Sequence, residues 1–247
     1  MLLSPLLTFF VLVIGVLIGG VGIGGVLLLP ALKYLGGFSL HQVIPACMLS
    51  YLVTGVVGAS IYARHGSINW TLAASVCLGA LPGAYLGSFL LPYVSPLILE
   101  TVIGALILVA GMDALRARQT EIRDDNQHAG AEYLLIGFVT GVGSALSGTG
   151  GPLLLIPILI WRKVSVLTAI GLAQSIMIPI SVTATLGNFL HGEIDFKLGI
   201  LLGVLLGVGS LLGAKSAHLL PVGLLKKVVA GLLVLVGIMI LYRLYFI

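Results

Sequence analysis

Long apolar runs separated by short polar intervals make up nearly the whole chain. They span about 2–36, 40–63, 69–91 and 95–115, and resume at about 133–160, 165–190, 196–219 and 222–246 after one polar interval, Arg116 to Glu132. A helix needs about 20 apolar residues to cross a hydrocarbon core, so the pattern predicts a bundle of membrane helices in two halves. The first run of each half is unusual. A helix of about 34 residues would be about 50 Å long against a core of about 30 Å, so such a run must tilt steeply or break. Both runs contain the means to break. Gly19-Gly-Val-Gly-Ile-Gly-Gly25 leads into Val26-Leu-Leu-Leu-Pro30, and Ser147-Gly-Thr-Gly-Gly151 leads into Pro152-Leu-Leu-Leu-Ile-Pro157.

The halves are related by an internal repeat. A shift of 126 residues superposes Gly22 on Gly148, Gly24 on Gly150, Gly25 on Gly151, Ser39 on Ser165, and His65-Gly-Ser-Ile-Asn69 on His191-Gly-Glu-Ile-Asp195. The same shift takes Gly83 and Gly87 to Gly209 and Gly213. One offset matching motifs so far apart indicates duplication. The expected organisation is a first transmembrane repeat at 1–115, a linker at 116–132 and a second repeat at 133–247.

Charge decides between orientations. If each long run crosses once, the twelve Lys and Arg residues divide six and six between the faces. If it turns back at its glycines, Arg64, Arg116, Arg118, Arg123, Arg162, Lys163, Lys215, Lys226 and Lys227 share one face, leaving Lys33, Lys197 and Arg243 on the other. The positive-inside rule prefers the uneven division. The expected fold is therefore an all-α polytopic membrane protein of two inverted repeats. Each repeat would have a glycine-broken hairpin or paired short helices plus three transmembrane helices, with both termini outside and the linker in the cytoplasm.

Composition agrees with that class and removes others. The 247 residues have a mean hydropathy of +1.22, with 59% hydrophobic and 8% charged residues, which excludes an ordinary soluble domain. The net charge of +4 lies in loops without a basic-aromatic cluster, so no nucleic-acid partner is expected. Cys47 and Cys77 lack metal-ligand spacing and read as buried small hydrophobes, so neither metal, cofactor nor disulfide is expected. No nucleophile–base pair or phosphate-binding lysine motif appears, which argues against an enzyme.

The glycine motifs are the candidate site. A helix that restarts at them presents unpaired amides and a partial positive charge, a natural anion site. The expected substrate-binding residues are Gly22, Gly24, Gly25, Ser147, Gly148, Thr149, Gly150 and Gly151. Ser147 and Thr149 add hydroxyl donors where the first half has Val21 and Ile23, so the site should be asymmetric. The competing explanation is that the glycines only let helices pack closely. The second run of each half is polar for its depth, adding Ser50 and Tyr51 from one half and Gln174 and Ser175 from the other. Thr54, Ser181, Thr183 and Thr185 lie in the same runs, where hydroxyls commonly join helices. Gln174 should bridge helices or face substrate, because an unpaired buried amide is costly. No acidic residue lies near the middle of a run, which leaves no evident intramembrane proton relay.

The paired segments Gly22-Ile-Gly-Gly25 through Pro30-Ala-Leu32 and Gly148-Thr-Gly-Gly151 through Pro157-Ile-Leu159 resemble the sulfite exporter TauE/SafE family of membrane transporters. So do the two His-Gly turns, each followed by a small-residue helix, Leu81-Pro-Gly-Ala-Tyr-Leu-Gly87 and Gly209-Ser-Leu-Leu-Gly213. The likeness covers nearly the whole chain, with a one-residue shift of Pro30 against Pro157. It implies a secondary transporter in the cytoplasmic membrane that moves sulfur-containing anions, sulfite or organosulfonates, often outward. A carrier for another small organic anion, or an anion channel, is the alternative. The expected partners are the anion and the lipid bilayer, with oligomeric state left open.

Overall fold

The computed structural model describes residues 4–95, 130–162 and 164–219 continuously, and separate groups of helical residues within 97–112 and 221–242. The described residues contain helices and no strand. Helix α1 (Pro5–Val21) starts at Ser4, whose Oγ accepts from Leu7 N–H at 3.3 Å. Helix α2 begins at Gly25 and passes Pro30 into a wide π-type turn, Ala31–Leu35. Pro30 has no amide to donate and crowds the carbonyl four residues back, and the helix widens directly after it. Helix α3 (Leu40–Arg64) and helix α4 (Trp70–Leu90) follow. The second half repeats the series as α5 (Ala131–Ser147), α6 (Pro152–Trp161), α7 (Val166–His191) and α8 (Phe196–Ala217).

The starts of matching helices are fixed by matching caps. Asn69 Oδ1 accepts from Thr71 and Leu72 N–H at 3.1 and 3.2 Å before α4, and Asp195 Oδ1 accepts from Leu198 N–H at 2.9 Å before α8. Ser165 Oγ accepts from Thr168 N–H at 3.2 Å before α7, while Ser39 N–H donates to Gln42 Oε1 at 3.2 Å before α3. Each cap satisfies an amide that the first helical turn leaves open.

Both long apolar runs fold back on themselves. A Cβ on Gly36, past the end of α2, would lie 3.2 Å from Leu7 near the start of α1, and one on Gly24 would lie 2.7 Å from the Ile14 oxygen. In the second half Arg162, just past α6, pairs with Glu132 in the first turn of α5 and lies 5.9 Å over the Tyr133 ring. Each pair, α1–α2 and α5–α6, is thus a helical hairpin whose tip is the glycine break.

Glycine contacts between helices give their relative directions. Gly15 approaches Leu206 and Gly209, and Gly20 approaches Gly213, so α1 and α8 run parallel. Gly79 meets Leu134, Gly83 meets Phe138 and Gly87 meets Val142, which makes α4 and α5 parallel. Gly199 meets Ala46 and Leu49 while Gly203 meets Ser50 and Val53, so α8 also runs with α3; Gly171 by Ile68 and Gly187 by Ser88 align α7 with α4. Gly55 lies against Met177 and Ile178 and Gly58 against Gln174, an antiparallel crossing of α3 and α7. These directions put Arg64, Arg162 and Lys215 at one end of the molecule and Lys33 and Lys197 at the other.

The glycines let two of these pairs touch along their backbones. A Cβ on Gly15 would lie 2.7 Å from the Leu206 oxygen, and one on Gly141 would lie 2.6 Å from the Ala80 oxygen. Small residues permit such approach in membranes, where packing and not hydrophobicity joins helices. The outward faces are as apolar as the core. Phe9, Leu135 and Ile200 are 63%, 62% and 61% exposed, a surface for lipid to solvate. Among the described residues, four helical stretches, Leu40–Arg64, Trp70–Tyr93, Val166–His191 and Phe196–Ala217, are long and apolar enough to cross a membrane.

Candidate functional site

The two glycine breaks do the same job with different geometry. In the first, α1 ends at Gly22, whose φ of 81° is left-handed and whose N–H donates to the Ile18 oxygen at 2.9 Å. Gly24 is back in right-handed geometry at φ −62°, and helical bonding resumes with Leu27 N–H donating to the Gly24 oxygen at 3.0 Å. The second break is more contorted: Gly148, Gly150 and Gly151 have φ of 65°, 78° and 113°. Side chains rarely adopt such backbone, which is why three glycines sit there. Pro152 then opens α6, and Leu154 and Leu155 N–H both donate to the Gly151 oxygen, at 3.2 and 3.1 Å. Proline suits that place because its missing amide is not needed in a first turn.

The hairpin tips meet. A Cβ on Gly25 would lie 3.0 Å from the Thr149 oxygen, and one on Gly22 would lie 2.7 Å from Ile156 and 3.5 Å from Pro152. Tyr51, from the middle of α3, joins them: its hydroxyl donates to the Gly25 oxygen at 2.9 Å, and its ring lies against Gly150. Ser147 and Thr149 are 1% and 2% exposed, with their hydroxyls 2.9 Å apart and hydrogen-bonded to each other. One proton of the pair is used in that bond; the other is free to point elsewhere.

Other expected residues divide between the meeting point and its supports. Gln174, on α7, donates through Nε2 to the Ile18 oxygen at 2.5 Å, a second bond to a carbonyl that already accepts from Gly22 N–H, while its Oε1 has no partner among the described residues. It therefore ties α7 to the first hairpin. Gly24 faces α1 of its own hairpin, Gly148 faces Ile44 and Leu29, and Gly151 faces Ile176 and Ile180. Ser175 Oγ donates to the Gly171 oxygen at 2.9 Å and Ser50 Oγ to the Cys47 oxygen at 2.7 Å, each bonding back along its own helix. These two serines are not brought to the tips by any bond of theirs.

Two kinds of residue escaped the sequence reading. Tyr62, wholly buried, has its hydroxyl 3.2 Å from both the Gly19 and Gly20 oxygens, a second clamp on the end of α1. Thr140 and Ser144 of α5 are wholly buried with no hydrogen-bond partner among the described residues. Their signal was present in the spacing, since Thr140, Ser144 and Ser147 recur at i, i+4 and i+7 on one helix face.

Glycine-broken hairpins meeting inside a bundle with a lipid-facing exterior define a polytopic membrane transporter: irregular backbone at such depth is tolerated when protein covers it, and paired broken helices mark transporter sites. The chain belongs to the sulfite exporter TauE/SafE family, which residues 7–240 match. It is 24% identical to the probable membrane transporter protein YdhB of Bacillus subtilis, covering 96% of this chain and 100% of that one. It is also 21% identical to the probable membrane transporter protein MJ0441 of Methanocaldococcus jannaschii, over 98% and 96% of the two chains. The probable membrane transporter protein YjnA of Bacillus subtilis is 32% identical over 40% of each chain. No solved structure gives a significant match.

Proposed function

We propose that this transporter is a secondary carrier that moves small sulfur-containing anions, sulfite or organosulfonates, outward across the cytoplasmic membrane. The observation that carries the reading is the meeting of the two glycine tips at the buried Ser147–Thr149 hydroxyl pair. The positive end of α6 and two hydroxyl donors suit an oxyanion. The binding set is Gly22, Gly25, Ser147, Thr149 and Gly150 at the contact, with Tyr51 and Gln174 holding the tips. Gly24, Gly148 and Gly151 shape the breaks, and Ser50 and Ser175 lie on the flanking helices.

The same proposal includes inverted repeats at 1–115 and 133–247 joined by a cytoplasmic linker at 116–132. In its favour, α1, α3 and α8 run one way and α4, α5 and α7 the other, so each helix opposes its counterpart in the second half. The separation of Arg64, Arg162 and Lys215 from Lys33 and Lys197 favours the first group inside and both termini outside. Transport would then proceed by rocking one half against the other around the tips. The near-complete burial of Ser147 and Thr149 fits an occluded stage of that cycle.

The test is flux into and out of proteoliposomes with sulfite, methanesulfonate, taurine and small carboxylates, with and without a pH gradient. Saturable flux of the sulfur anions is expected. Saturable flux of carboxylates alone would move the assignment to another organic anion, and flux proportional to concentration without saturation would indicate a channel.

A further inference from the structure

Three hydroxyls of α5, on Thr140, Ser144 and Ser147, run along one face towards the second glycine break. Ser144 is 0% exposed, its Oγ has no hydrogen-bond partner among the described residues, and that atom lies 3.8 Å from where a Cβ on Gly151 would sit. Gly151 immediately precedes the ten-residue helix α6. An unpaired hydroxyl donor thus lies at the positive end of α6, where the Leu154 and Leu155 amides are already bonded to the Gly151 oxygen, and a buried acceptor would satisfy it. Under the 126-residue shift Thr140, Ser144, Ser147 and Thr149 fall on Ile14, Ile18, Val21 and Ile23, so the donors come from one half only.

The charge of this donor set is as informative as its position. The buried polar residues are Ser, Thr, Gln and Asn, with no Lys, Arg or His among the described ones. The amino end of α6 contributes roughly half a positive charge, and the hydroxyls contribute dipoles only. Taking an ion out of water costs energy that rises with the square of its charge, about four times more for a dianion than for a monoanion of the same size. Without a buried cation nothing offsets that difference.

Resting on the anion-carrier reading above, we infer that Ser144 is a further ligand of the substrate oxyanion, and that the neutral donor set selects singly charged anions over doubly charged ones. Bisulfite and sulfonates meet this rule; sulfite dianion and sulfate do not.

The experiment measures ligand-dependent thermal stabilisation of the purified full chain at fixed ionic strength. Two pairs of probes differ in charge: methanesulfonate against sulfate, and acetate against malonate at a pH where malonate is doubly charged. Methanesulfonate should bind at least tenfold more tightly than sulfate. Ser144→Ala should weaken binding of the preferred monoanion about tenfold or more, as loss of a hydrogen bond to a charged group does. Ser144→Thr, which keeps a hydroxyl, should retain most of it. If sulfate binds as tightly as methanesulfonate, the charge rule is overturned while the sulfur-anion assignment stands. If acetate binds over malonate and methanesulfonate does not bind, the charge rule holds and the sulfur assignment falls. Binding by neither pair overturns both, and unchanged monoanion affinity in Ser144→Ala removes Ser144 from the site.

Discussion

Replacing Ser147 and Thr149 by alanine, singly and together, probes the proposed site most directly. In the structure their hydroxyls are 2.9 Å apart and bonded to each other in a place almost closed to water. Without ligand, either single variant loses one neutral hydrogen bond, worth about 0.5–1.5 kcal/mol. With a bound oxyanion both hydroxyls can turn to it, and each bond to the charged group contributes about 1.5–3 kcal/mol. Because either single variant no longer has to break the mutual bond on binding, its net loss is the difference, about 1–1.5 kcal/mol, or roughly 5- to 13-fold in affinity. The double variant should lose more than the sum of the singles, because each single variant already escapes the cost of breaking the mutual bond and the sum counts that relief twice. A double-mutant cycle isolates that coupling, expected at about 0.5–1.5 kcal/mol. The assay is substrate-dependent thermal stabilisation of purified variants, with the ligand-free midpoint as a control on folding. Alanine at Val21 and Ile23, which offer no side-chain donor, should change affinity little. Unchanged affinity in the double variant, at a normal ligand-free midpoint, would mean that the second glycine motif is a packing device and not a binding site.

Three further outcomes follow from the contacts. Tyr51→Phe leaves the Gly25 carbonyl buried without its donor and should lower ligand-free stability by about 1–3 kcal/mol, read as a reduced thermal midpoint; an unchanged midpoint would show that the 2.9 Å bond contributes nothing. Gly213→Leu should abolish folded protein, because even a Cβ there would overlap the Val16 carbonyl, whereas Gly130→Ala, with open space around it, should behave as the parent in size-exclusion yield. Single cysteines at Gln127 and at the carboxy terminus, in a background lacking Cys47 and Cys77, should label from opposite sides of intact cells; equal access to an impermeant reagent would sink the inverted arrangement.

Much of the fold could be read from residue order because its causes are local. Glycine clusters sit in runs too long to cross a bilayer as one straight helix, and the breaks are found there, at Gly22 and at Gly148 to Gly151. The caps Ser39, Asn69, Ser165 and Asp195 act within three residues, so helix starts follow from sequence alone. The 126-residue shift is likewise a property of the chain and needs no contacts to be seen. Family membership follows from the same motifs.

The site itself depended on contacts that no local rule supplies. These helices are apolar on every face, since lipid and protein interior are equally apolar surroundings, so periodicity cannot say which face turns inward. Ser50 and Ser175 looked like site residues and bond back to their own helices, while Ser144, one of many serines in sequence, is aimed at the α6 break. Gly24 and Gly25 are neighbours, yet one packs on its own hairpin and the other meets Thr149 across the two halves. Tyr51 and Gln174 reach hairpin carbonyls 26 and 156 residues away, and only the crossing of α3 and α7 between the hairpins brings them there. The sequence by itself determined where the chain breaks and how often it repeats; tertiary packing decided which broken ends meet and which donors they share, because those depend on helix rotation and direction.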